Sequence, residues 1–305
     1  PGDLEDRSRR LRILLAQQLA NGIFLGATYA LFAIGYTLVF GVLDILNLAH
    51  AAIFMLAAFV CLSVVLAGYP LAAGIFIAIV VAGLVGVILD RVAFAPLRRR
   101  NAGTLVPLIS SIGFAIIVEA IARGLYGVND HQFPSLVRQA PPIVLGPVTF
   151  TYFDVTILGA SILLMVALAY VMRSTKIGRD IRAVADDRIA SALLGIDIER
   201  TIALTFFIAS ALGGAAGVLA GLQYNSVVFD MGNRIELKGL AVIILGGMGS
   251  ITGAVIGGFI LGITETLAVA FISSSWRDAI AFGVMFAILI ARPAGILGRR
   301  ALRTA

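Results

Sequence analysis

Long stretches of the chain carry few polar positions: 13–43, 48–67, 71–90, 104–126, 154–172, 200–223, 237–247, 251–272 and 278–297. A membrane strand would alternate, because one of its faces meets a lumen. Runs such as Leu71–Leu89 and Val155–Met172 are instead apolar on every side. They are as long as a helix that crosses roughly 30 Å of hydrocarbon. Lipid offers no partner to a backbone amide, so such runs satisfy their amides internally, as helices.

Clusters of arginine between the runs set the sides, because cytoplasmic loops collect positive charge. Arg98, Arg99 and Arg100 mark one inside loop; Arg173, Lys176, Arg179, Arg182 and Arg188 mark a second. Arg299, Arg300 and Arg303 put the C-terminus inside, and Arg7, Arg9, Arg10 and Arg12 put the N-terminus inside. Segment 127–153 has Pro134, Pro141, Pro142 and Pro147 with few charges, and reads as an outside loop. Parity then makes 236–272 leave from and return to the outside. Its first part, 237–247, spans only roughly 16 Å at 1.5 Å per residue, which predicts a broken or half-length helix beside a polar vestibule. An inside N-terminus also requires run 13–43 to cross twice, split near Gly35, with Asp44–Asn47 in a turn. The expected fold is a single all-α polytopic membrane domain over 1–305, with about eight to ten crossings.

Composition agrees. Hydrophobic residues make up 60% and charged residues 13%, against roughly 45–50% and 25% in soluble domains. Mean hydropathy is +1.03. The net charge of +6 comes from arginine, since Lys176 and Lys238 are the only lysines. In a soluble protein the pI near 9.9 would suggest nucleic acid; here sidedness explains it, and no nucleic-acid partner is expected. The first residues are mixed in charge and the run that follows is long, so no cleavable signal peptide is expected. Cys61 is the single cysteine, and His50 and His131 lie far apart, which argues against a disulfide framework or a metal site.

Small residues recur at every fourth position: Gly22, Gly26 and Ala30; Gly213, Gly217 and Gly221; Gly249, Gly253 and Gly257. This spacing lets helix backbones approach closely, within one bundle or against a second membrane subunit.

Segment 173–200, RSTKIGRDIRAVADDRIASALLGIDIER, is too charged to enter lipid. Ile181, Val184, Ala185, Ile189, Ala192 and Leu193 recur at helical steps and predict one helix with one apolar stripe, with Gly178 turning the chain in and Gly195 closing it as a left-handed cap. Such a helix can lie on the bilayer, dock in the groove of a partner or stay solvated. Asp180, Asp186 and Asp187 balance much of the basic charge, and the stripe is small, which favours a protein groove.

Three blocks carry a resemblance: NGIFLGATYALFAIGYTLVFGVLDILNLAHAAIFML (21–56), GRDIRAVADDRIASALLGID (178–197) and GLAVIILGGMGSITGAVIGGFILGITE (239–265), followed by the closing RPAGILGR. In this order and spacing the chain resembles the H-type permease subunits of ATP-driven importers for branched-chain amino acids. The resemblance implies a multi-pass permease of the bacterial inner membrane that pairs with a second, homologous permease of the M type. Two cytoplasmic ATPase subunits would bind beneath it, holding the ATP and Mg2+, and a periplasmic binding protein would deliver substrate. It implies that 173–199 carries a coupling helix seated in an ATPase cleft, where Gly178, Arg179, Arg182, Ala183, Asp187, Gly195 and Ile196 match the family pattern and Asp186 stands beside them. Two departures stand out. Ala51 replaces the glycine that follows His50, and Thr252 replaces a proline before Gly253. The family also serves urea, short amides and aromatic acids.

The chain itself offers no catalytic constellation. A G-x-x-x-x-G-K-[ST] loop is absent, so no cofactor is expected on this chain. The candidate pathway groups are Asn47, His50, Gly246, Gly247, Ser250 and Glu265, polar or glycine positions at the inferred helix breaks or at depth. His50 can equally bond to backbone. Glu265 has no cation nearby in sequence, whereas Glu119 has Arg123 four residues on. A secondary, ion-driven transporter and a non-transporting assembly subunit are the alternatives in other functional classes.

Overall fold

The computed structural model describes residues 2–134, 143–146 and 148–298. Among them, seven helices are long and apolar enough to cross a membrane. In chain order the elements begin with α1 (Gly2–Leu43), α2 (His50–Leu66) and α3 (Leu71–Leu89). A π-helical turn (Asp90–Phe94) and α4 (Ala95–Arg99) extend α3, and α5 (Leu105–Tyr126) follows. A small hairpin, β1 (Ile143–Leu145) and β2 (Val148–Phe150), precedes α6 (Tyr152–Ser174). Two short helices, α7 (Lys176–Asp186) and α8 (Arg188–Leu193), lead into α9 (Ile198–Tyr224). The chain ends in α10 (Met231–Gly246), α11 (Ile251–Phe271) and α12 (Arg277–Ala291). The chain is a multi-pass, all-α membrane protein.

Helices α1 and α9 form the centre, and α3, α5, α6 and α12 turn apolar faces outward, with Ile116, Ile117, Leu163 and Ile290 all exposed. Lipid is as apolar as these side chains, so close backbone packing rather than burial holds the helices together. The small-residue series serve this packing inside the chain. Gly22 and Gly26 lie against Ile263 and Phe259 of α11, and Gly217 lies against the Phe54 carbonyl of α2. Gly257 lies against the Val242 carbonyl of α10.

Three expectations are corrected. The run 13–43 is not split at Gly35: α1 is one unbroken helix, and Gly35 serves contact, facing the Ala209 carbonyl and the His50 ring. A single crossing reverses the side of everything before it. Gln17 meets Thr149 of the hairpin through paired hydrogen bonds of 2.9 and 2.8 Å, while Val42 meets Arg188. The start of α1 therefore lies at the hairpin end, opposite α7, and not on the side of 173–200. Residues 296 and 297 bond to the carbonyls of Leu245 and Gly246 at the α7 end, so the described C-terminal residues do share that side. Of the arginines used to place the termini, Arg299, Arg300 and Arg303 lie outside the described residues, as do Pro141, Pro142 and Pro147.

The break falls after α1. Asp44 adopts a left-handed conformation (φ 55°), and non-helical residues 44–49 carry the chain back into the bundle. His50 opens α2 at the level of Phe32, roughly 16 Å from the end of α1 at 1.5 Å per residue. The predicted half-helix 237–247 is longer than expected: α10 begins at Met231 and has 16 residues, roughly 24 Å. Its opening residues Asn233, Arg234, Glu236 and Lys238 are polar and escape a hydropathy reading. Gly232 and Gly239 nevertheless pack it against α2 and Phe32.

Candidate functional site

Segment 175–197 joins α6 to α9 and is only partly packed on the bundle. Thr175 leaves the helix at the end of α6, and its hydroxyl accepts from the Gly178 amide at 3.2 Å to start α7. Gly178 is needed for space, since a Cβ there would run into the backbone of Val171 and Met172. The single striped helix predicted for 178–195 is in fact two helices. Asp187 takes an extended conformation (φ −150°, ψ 114°), and its carboxylate caps α8 by accepting from the amides of Ile189 and Ala190 at 2.7 and 3.0 Å. A capped aspartate satisfies amides that a continuous helix would have satisfied itself. The stripe is divided accordingly. Ile181 and Val184 face the bundle and are buried, while Ile189, Leu193 and Leu194 are 77–85% exposed. Gly195 closes α8 at φ +79°, where the Ile196 amide bonds back to the Ser191 carbonyl. Arg179, Arg182 and Asp186 point to solvent, and Ala183 is half-buried.

The segment is tied to the centre of the bundle. The Arg188 guanidinium donates to the Val42 carbonyl at 2.8 Å, occupying one of the carbonyls that the last turn of α1 leaves open. Arg98 makes a parallel tie, reaching the buried Asp90 in the π-helical turn at 2.6 Å and Glu199 in the first turn of α9 at 3.1 Å. The Arg188–Val42 and Arg98–Glu199 bonds join residues 146 and 101 positions apart, so local spacing shows neither.

The predicted pathway residues do not form one group. Asn47 and His50 are buried where α2 begins. The His50 ring lies 3.3 Å from the Phe32 carbonyl and packs against the rings of Phe32 and Tyr36, so it takes the backbone partner. Gly246 and Gly247 pack tightly against Gly253 and Gly298, and Ser250 caps α11 by accepting from the Gly253 amide at 3.1 Å. These three mark the turn between α10 and α11 at the α7 end.

Glu265 is fully buried in a cluster of charges. Lys238 donates to it at 2.6 Å, Tyr29 donates at 2.8 Å, and Arg277 pairs with it as well. Lys238 also reaches Asp278 at 3.1 Å. The cations missing from its own neighbourhood in sequence come from α10 and α12. The cluster joins α1, α10, α11 and α12 near the hairpin end.

Polar residues also stand on α5 and α10: Glu119 and Glu236 are half-buried, and Asn233 and Arg234 are exposed. Arg123, the expected partner of Glu119, sits 4.3 Å over the Phe229 ring. Among the described residues, no cluster of histidine, cysteine or acidic side chains could hold a metal.

The profile of the family described as "Branched-chain amino acid transport system / permease component" matches residues 18–289. The chain belongs to this family. It is 38% identical over 297 residues to the high-affinity branched-chain amino acid transport system permease protein LivH of Escherichia coli K12, covering 93% of this chain and 95% of that protein. It is 35% identical over 297 residues to the permease protein BraD of Pseudomonas aeruginosa, with the same coverage. It is 28% identical over 294 residues to a probable permease of this kind from Methanocaldococcus jannaschii, covering 92% and 91%. The permease resemblance read from the three blocks thus extends over nearly the whole chain.

Proposed function

We propose that this permease forms one membrane half of an ATP-driven importer that moves branched-chain or related neutral amino acids across the bacterial inner membrane. A second, homologous permease supplies the other half. Two ATPase subunits hold the ATP and Mg2+ on the cytoplasmic side, and a periplasmic binding protein brings the substrate. In this reading the α7 end faces the cytoplasm, and the hairpin and the start of α1 face the periplasm.

The observation that carries the reading is segment 175–197. It presents Ile189, Leu193 and Leu194 outward while Ile181, Val184 and Arg188 hold it to the bundle. An apolar tip on a polar, rigidly rooted segment suits a cleft in a cytoplasmic protein better than water. ATP closes the paired ATPases, the seated segments move, and the bundle exchanges one opening for the other. Each ligand shifts this equilibrium only by its difference in affinity for the two states.

The test uses the whole complex in proteoliposomes, with the binding protein outside and ATP inside. Replacing Arg182 and Asp187 together with alanine is expected to leave ATP hydrolysis running while uptake falls. Unimpaired coupling in that double variant counts against the assignment. Uptake that stops when the proton gradient is collapsed at fixed ATP would instead mark an ion-coupled carrier.

A further inference from the structure

The helical path of α3 changes its winding before it ends. Pro96 has no amide, and its ring would press on the carbonyl four residues back, so an ordinary helix cannot run through it unchanged. The chain widens instead. The Ala95 amide donates to the Asp90 carbonyl, five residues back, and residues 90–94 form the π-helical turn. This turn buries Asp90, Ala93 and Phe94, with Phe94 packed on Phe206 of α9 at 5.1 Å between ring centroids, and leaves Arg91 exposed. Helix α4 then ends at Arg99, and Asn101, left-handed at φ 49°, turns the chain toward α5.

Three arginines meet here. Arg91, Arg99 and Arg100, with Ala95 and Pro96, line one cleft of about 410 Å³. The acids nearby are taken by a fourth arginine, since Arg98 holds the buried Asp90 at 2.6 Å and Glu199 at 3.1 Å. Among the described residues, none of the three that line the cleft has an ion-pair partner. Sidedness accounts for arginines on a loop in water. It does not require three of them to share one cavity with no acid in it. An apolar row leads up to the same place: Leu84, Ile88 and Val92, four residues apart on the lipid-facing side of this helix, are 52–67% exposed. A ligand seated there meets cations at one end and hydrocarbon-facing side chains at the other.

We propose that the cleft holds the phosphate headgroup of an anionic phospholipid whose acyl chains lie along Leu84, Ile88 and Val92. Guanidinium groups bind phosphate oxygens through paired, charge-assisted hydrogen bonds. Basic pockets at the cytoplasmic ends of spans suit such headgroups. A zwitterionic headgroup brings a cation of its own into a cleft that already has three, so a lipid with net negative charge is selected. Free phosphate could use the same guanidinium groups but not the apolar row. The cytoplasmic side rests on the permease reading; the lipid chemistry does not.

The experiment counts retained lipid. The full chain, co-expressed with its partner subunits, is placed in vesicles of phosphatidylcholine and phosphatidylglycerol in equal parts, extracted with detergent, and weighed by native mass spectrometry. Phosphatidylglycerol is expected to be retained severalfold over phosphatidylcholine. Arg91→Gln with Arg99→Gln is expected to remove that preference. Arg173→Gln with Arg200→Gln, which takes the same charge from exposed positions on the same side, is expected to keep it. Inorganic phosphate added before extraction is expected not to displace the lipid. Should the double variant fail to fold, Arg99→Gln alone, at an exposed position, is read in its place and is expected to weaken the preference. Equal retention of the two lipids by the parent overturns the proposal, as does equal loss in the two double variants. Displacement by inorganic phosphate overturns the lipid as occupant. A variant that keeps its phosphatidylglycerol but sheds the ATPase subunits assigns the cleft to a protein contact and overturns it too.

Discussion

Arg188→Ala removes the bond between the exposed segment and the end of α1. In the structure the guanidinium donates to the Val42 carbonyl at 2.8 Å from a half-buried position. A hydrogen bond from a charged donor contributes about 1.5–3 kcal/mol. If that bond makes α1 follow the segment, losing it weakens the coupling between ATPase closure and the bundle by roughly 10- to 150-fold. The assay is uptake of labelled leucine per ATP hydrolysed, in proteoliposomes that contain the whole importer. Uptake is expected to fall by about tenfold or more while hydrolysis by the partner subunits continues. Arg188→Lys keeps the charge but loses the planar fork, and its uptake should lie between the two. If Arg188→Ala gives the parental ratio of uptake to hydrolysis at equal yield, the bond plays no part in transmission and the argument fails.

Glu265→Ala strips Lys238, Arg277 and Tyr29 of a shared partner; breaking a buried ion pair costs about 3–5 kcal/mol, so the thermal midpoint of the purified complex should drop clearly. Glu265→Gln retains an acceptor and should lose less, and an unchanged midpoint in the alanine variant would refute the clasp. Gly217→Val drives a side chain into the Phe54 carbonyl and is expected to abolish folded protein on size exclusion, whereas Gly113→Val, with open space around it, should be tolerated. Leu193→Asp with Leu194→Asp should cut co-purification of the ATPase subunits without lowering the yield of the permease, and intact co-purification would show that this tip is not the docking surface.

The membrane class, the long crossings and the break around Asp44–Asn47 were legible because lipid enforces length and all-round apolarity, both of which a sequence displays directly. The error over α1 came from reading arginine as a marker of sidedness at the N-terminus. That choice forced a second crossing, and Gly35, which serves a close contact, was then assigned the split. The start of α10 was lost for the opposite reason, since its polar residues resemble a loop until Gly232 and Gly239 are seen packed against neighbours. The partners of Glu265 and Arg188 were beyond reach, because they meet only through tertiary contact across the chain. Asp187 was legible as part of a family pattern, but its role as a cap that interrupts the stripe was not.

The glycine-lined seam between α1 and α11 admits no side-chain layer in which one helix could slide on the other. Gly22, Gly26, Gly258 and Gly262 bring the two backbones together along much of their length, and the Glu265 cluster fastens one end. Any change of access must therefore carry this pair as one solid body. A crosslink within the pair should therefore leave transport running.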